Sequence, residues 1–131
     1  MHLQPALITL LNILLLVMAT YAVGTARGKY GVKAPATSGP EGFELAFRAH
    51  MNTIEATVIF LPVLWLAAIY NPLTPIYVTV LGYVWVVGRA LFLFGYWQAA
   101  NKRGMGFMVG TLGWLGLTVL ASWGVIKQML A

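Results

Sequence analysis

The chain has no cysteine and no aspartate, and its only carboxylates are Glu41, Glu44 and Glu55. The missing cysteines exclude a disulfide framework, thiolate metal ligation and a cysteine nucleophile. Only 8% of the 131 residues are charged, against roughly 25% in soluble domains, so hydrated side chains cannot cover the surface. With 60% hydrophobic residues and a mean hydropathy of +0.82, the solvent for most of that surface is lipid. The short segments of alternating polarity that mark a membrane barrel are missing too, as are internal repeats and low-complexity tracts.

What is present is a set of long apolar runs, Leu3–Ala26, Phe43–Tyr70, Ile76–Ala99 and Phe107–Met129. Each reaches the length of about 20 residues that a helix needs to cross hydrocarbon. The first has neither a charged amino-terminal region nor a small-residue cleavage site, and reads as a retained span rather than a signal peptide. Gly, Pro, Ser and basic residues mark 27–42 as a loop, while NPLTP at 71–75 and NKRGMG at 101–106 are tight connections. The expected fold class is an all-α membrane protein, a four-transmembrane-helix bundle in which residues 1–131 form a single domain. A formal charge of +5 does not indicate nucleic acid, because the eight basic residues are scattered among apolar spans and no water-exposed basic face gathers them. Arg27, Lys29, Lys33, Lys102 and Arg103 lie in the first and third connections, against Lys127 and the amino terminus on the other side. By the positive-inside rule those two connections face the cytoplasm and both termini face away from it.

Ionisable side chains inside spans cost roughly 2.5–3.5 kcal/mol each, and they are usually paired or set beside a cavity. Arg48, Asn52 and Glu55 recur at i, i+4 and i+7, one narrow stripe of the second helix, while His50 points to its other side. Arg89, Phe92, Tyr96 and, if the third helix persists past Asn101, Arg103 form another stripe. Antiparallel packing of the two spans predicts an ion pair from Glu55 to Arg89, hydrogen-bonded with Asn52, at the floor of a polar cavity. A buried pair of that kind is as readily a packing device as a functional one. Arg48 and Arg103 then have no acidic partner and invite an anionic ligand; snorkelling to headgroups is the plainer reading for Arg103 standing alone. A lone Tyr96 is ordinarily a residue of the interfacial aromatic belt. Asn12 reads as an interhelical hydrogen-bonding residue. No second histidine lies near His50, so a metal site is not expected.

FELAFRAHMNTIEATVIFLPVLWLAA and GRALFLFGYWQAANKRG together resemble the MAPEG family, the membrane-associated proteins in eicosanoid and glutathione metabolism, over most of the chain. The strongest element is RAHMNTIE, residues 48–55, supported by Arg89, Tyr96 and Arg103. The resemblance implies a homotrimer of four-helix subunits, with glutathione as co-substrate bound between neighbours and a lipophilic electrophile or lipid hydroperoxide as second partner. It implies glutathione contacts for Arg27, Arg48, His50, Asn52, Glu55 and Tyr96, with Arg103 stabilising the thiolate. His50 and the Arg48 stripe would then serve two different ligands. Phe92 and Ala56 stand where leukotriene-forming relatives carry tyrosines, so eicosanoid specificity is not carried over.

The expected activity is that of a glutathione transferase, with glutathione peroxidase activity as a companion, in a detoxification role and with no metal. Arg27, Arg48 and Lys29 are the donors available to glutathione's carboxylates, and Glu55 the acceptor for its ammonium. A bacterial inner membrane is the expected location, although an endoplasmic-reticulum-type membrane fits the same charge bias. The competing reading is a non-enzymatic membrane scaffold or lipid-binding protein that keeps the same fold. A transporter fits less well, because no paired spans are interrupted at mid-depth.

Overall fold

The computed structural model describes residues 2–131 and contains four long helices, α1 (Leu3–Tyr30), α2 (Glu41–Tyr70), α3 (Pro75–Gln98) and α4 (Gly104–Leu130). All four are long and apolar enough to cross a membrane. Even the shortest, α3 at 24 residues, extends about 36 Å at the helical rise, more than the ~30 Å hydrocarbon core.

The helix ends follow local chemistry, and several differ from the sequence expectation. α1 continues through Tyr30 instead of ending near Ala26, which brings Arg27 and Lys29 into its last turn beside the negative end of the helix dipole. Gly31 stops it with a left-handed φ of 67°, and the Val32 amide closes back onto the Arg27 carbonyl at 3.1 Å, a Schellman closure. Val32 is buried behind it against the Val23 and Ala26 cluster. Glu41 and Glu44 occupy the first turn of α2, where negative charge is favoured. Pro62 lies inside α2 without ending it. At the far end buried Asn71 ties α2 to α4, its amide donating to the Ala67 and Leu120 carbonyls at 2.9 Å each. Pro75 opens α3, at a position where a missing N–H costs nothing.

The third helix does not persist past Asn101. It ends at Gln98, Ala99 is extended, and a 3-10 turn over Ala100–Arg103 leads directly into α4, which starts three residues before the expected Phe107. This sharp reversal brings the Lys102 carbonyl onto Gly95, where a Cβ has no room.

The core is built in layers. Phe60 stacks on Trp85 with ring centres 4.4 Å apart, within a cluster that includes Ile8, Leu64 and Leu117. Fully buried Asn12 joins three helices: its Nδ2 donates to the Thr57 hydroxyl and its Oδ1 accepts from the Trp85 indole, both at 3.0 Å. α3 and α4 pack backbone to backbone, because a Cβ at Gly106 would collide with the main chain of Phe92. Close approach of this kind substitutes for the hydrophobic drive that lipid does not supply.

Gly106→Ala is therefore expected to destabilise the protein by about 1–3 kcal/mol, while Gly104→Ala, which meets nothing within 4 Å, does not. Unfolding midpoints in detergent check this, and equal midpoints for the two variants would contradict the packing account.

Candidate functional site

The α2 stripe projects toward α3 and α4. Asn52, Glu55 and Ala56 of α2, Arg89 of α3, and Thr111 and Trp114 of α4 line a cavity of about 310 Å³. Arg89 is 4% exposed, and its position is set by packing: the guanidinium carbon lies 4.3 Å from the Phe92 ring centre and 5.0 Å from that of Trp85. Cation–π attraction at a desolvated site contributes on the order of 2 kcal/mol.

The expected Glu55 to Arg89 ion pair is not formed, and among the described residues no ion pair joins any two side chains. Arg89 Nη1 donates instead to Asn52 Oδ1 at 2.9 Å. Asn52 precedes Glu55 by nearly one helical turn on the same face, and the level at which α2 and α3 cross puts the amide, not the carboxylate, opposite the guanidinium. Glu55 is left exposed at the cavity edge. The Arg89 Nε and the Trp114 indole nitrogen are both buried without an acceptor. Both nitrogens are enclosed by protein, so what the cavity itself presents is the Glu55 carboxylate at its edge.

Tyr96 lies two turns, about 10 Å, along α3 from Arg89 and is buried against Phe92. Arg103 reaches it through the 3-10 turn and not along a continued helix. Its Nη1 is 3.5 Å from the Tyr96 hydroxyl, and its guanidinium carbon is 5.2 Å from the ring centre. Arg103 and Arg48 are both exposed. Among the described residues no carboxylate pairs with either of them.

Arg27 and His50 do not line this cavity. His50 Nε2 is 3.1 Å from the Thr20 hydroxyl of α1. Arg27 ties down the 31–40 loop, donating to the Ala36 carbonyl at 2.8 Å and lying 5.0 Å from the Phe43 ring centre. Lys29 lies over Tyr30, 5.3 Å from its ring centre, beside a different recess. Among the described residues, no three His, Cys, Asp or Glu side chains gather to hold a metal.

Thr111 and Trp114 were not anticipated as cavity residues, because they lie in the apolar run Phe107–Met129; Thr111, a polar side chain within that run, was the available signal. Thr20 carried none, because its meeting with His50 depends on how α1 and α2 register.

The MAPEG family profile matches residues 5–123. The chain belongs to the MAPEG family. Among its relatives are an uncharacterized protein of Synechocystis sp., 46% identical over 97% of this chain and 91% of that one, and microsomal glutathione S-transferase 2 of Homo sapiens, 42% identical over 82% and 72%. Leukotriene C4 synthase of Cavia porcellus is 34% identical over 75% of this chain and 64% of its own. The family is that of the RAHMNTIE resemblance, and the four spanning-length helices accord with it.

Because Arg89 has a single side-chain acceptor, Asn52→Ala is expected to cost about 1–3 kcal/mol of stability. Adding Arg89→Met should recover much of that loss, since no unpaired charge is then buried. Denaturant titration checks the pair, and an Asn52→Ala protein as stable as its parent would contradict the assignment.

Proposed function

We propose that this protein is a membrane-embedded glutathione transferase that activates the thiolate of glutathione for attack on lipophilic electrophiles. The observation that carries the reading is the set of cations without carboxylates, Arg48 and Arg103, at the same end of the bundle as a cavity edged by free Glu55. Glutathione carries two carboxylates and one ammonium, and that distribution is complementary to these groups. Its use by this chain also fits the name of the human relative, a glutathione S-transferase.

In this reading Arg48 binds a glutathione carboxylate, Glu55 takes the α-ammonium, and Asn52 and Tyr96 hydrogen-bond the peptide. Arg103 is the catalytic residue. A free thiol has a pKa near 8.5, which leaves a few per cent as thiolate at pH 7, and a fixed guanidinium beside the sulfur favours the charged form. The thiolate forms a bond from sulfur to the electrophilic carbon, and the leaving group departs with its electron pair. The electrophile arrives laterally from the bilayer. Peroxide reduction by the same thiolate is the companion activity.

Arg27 and His50, on the α1 side of α2, contact the ligand of a neighbouring protomer, so the reading includes a homotrimer whose sites lie between subunits. Arg27 must then release or share its hold on the Ala36 carbonyl. Residues 1–131 act as one membrane domain of a bacterial inner membrane, with the 27–42 and 101–106 connections on the cytoplasmic side.

Arg103→Ala is expected to bind glutathione with little change in affinity, to lose the ultraviolet thiolate band, and to conjugate an aryl halide about 100-fold more slowly. Arg48→Ala is expected to weaken glutathione binding about tenfold or more in calorimetry. Thiolate formation unchanged in Arg103→Ala would remove that residue from the chemistry. A wild-type protein that gives no heat with glutathione would favour a scaffold or lipid-binding role instead.

A further inference from the structure

A second recess, about 610 Å³, lies between α1, the start of α2 and the end of α3, and it shares no lining residue with the Asn52, Glu55 and Arg89 cavity. Small side chains line it, Ala22 and Ala26 on α1 and Gly42 and Ala46 on α2, with the Tyr30 ring against Gly42, and Trp97 of α3 forms a wall. From Val17 to Lys29 the recess follows α1 for about 18 Å at the helical rise, close to the ~15 Å depth of one leaflet of hydrocarbon. Its lining is apolar along most of that length, and its one charged group, Lys29, stands at the end.

Lys29 is exposed, and among the described residues it has no carboxylate partner. Arg27, Lys33, Lys102 and Arg103 crowd the same end of the bundle, against Glu41 and Glu44, of which Glu44 accepts from the Gly39 amide. The Trp97 indole nitrogen is buried without an acceptor. One long apolar channel ending in an unpaired ammonium matches the division of a single amphiphile into tail and anionic head.

We propose that this recess binds one anionic phospholipid from the leaflet that surrounds the 27–42 end of the bundle. An acyl chain lies along α1 over Ala26 and Ala22 toward Val17, and the phosphate sits beside the Lys29 ammonium. The site is independent of glutathione and does not rest on the catalytic reading.

Native mass spectrometry of the detergent-purified full chain, with added phosphatidylglycerol or phosphatidylcholine, tests it. The wild type is expected to retain one phosphatidylglycerol per protomer, with about a fivefold preference over phosphatidylcholine. Lys29→Gln, at an exposed position, should erase the preference while both lipids still bind. Ala22→Phe, which fills the recess, should lose both, with circular dichroism reporting that the helices remain. Equal phosphatidylglycerol preference in the wild type and Lys29→Gln overturns the proposal even if Ala22→Phe does not fold. A changed oligomeric mass in Ala22→Phe with lipid retention intact would assign the recess to a second copy of the chain, and likewise overturns it.

Discussion

A permanently charged guanidinium buried between helices that face lipid is the constraint from which the rest of this structure follows. The Arg89 guanidinium is almost wholly enclosed by protein, so the fold must surround it with partial negative charge. It does so with one amide oxygen, from Asn52, and the faces of two aromatic rings, Trp85 and Phe92. Neither partner neutralises the charge, so the positive potential extends into the cavity beside it. A carboxylate in Asn52's place would have cancelled it. The amide stabilises the guanidinium locally and leaves Glu55 free for something else.

The surrounding packing holds that arrangement in place. Asn12 fixes α1, α2 and α3 to one another a turn from Arg89, through Thr57 and the Trp85 indole, and the stacking of Trp85 on Phe60 sets the ring that the guanidinium lies against. Glycine contacts hold α4 tightly enough against α3 for Thr111 and Trp114 to close the cavity. The abrupt α3 to α4 reversal then returns Arg103 to Tyr96. Two positive centres therefore sit at two depths, one buried and one at the surface, along a single face of the bundle.

Much of this was legible in the residues themselves. The i, i+4, i+7 spacing from Arg48 placed Asn52 and Glu55 on one face, and antiparallel packing put Arg89 near them, because helical periodicity is a local property. The choice between Asn52 and Glu55 as the partner of Arg89 was not legible: they differ by one turn, and only the crossing register of α2 against α3 decides it. Arg103 joined the Arg89 and Tyr96 stripe only on the condition that the third helix persist past Asn101; the helix ends sooner, and Arg103 reaches Tyr96 through a 3-10 turn that depends on Gly95 admitting the Lys102 carbonyl. Arg27 likewise looked free in a loop, but α1 runs past it and its side chain closes the segment that follows. Helix ends and inter-helix register arise from contacts between distant residues, which a stripe pattern does not encode.

The central claim, that Asn52 holds Arg89 and leaves Glu55 unpaired for a ligand, is tested most directly by Glu55→Gln, through thermal unfolding measured with and without glutathione. The account predicts a ligand-free midpoint equal to that of the parent, and loss of the upward shift that glutathione produces in the parent. A lowered ligand-free midpoint with the glutathione shift retained would contradict it, because Glu55 would then be a structural partner and not a binding group.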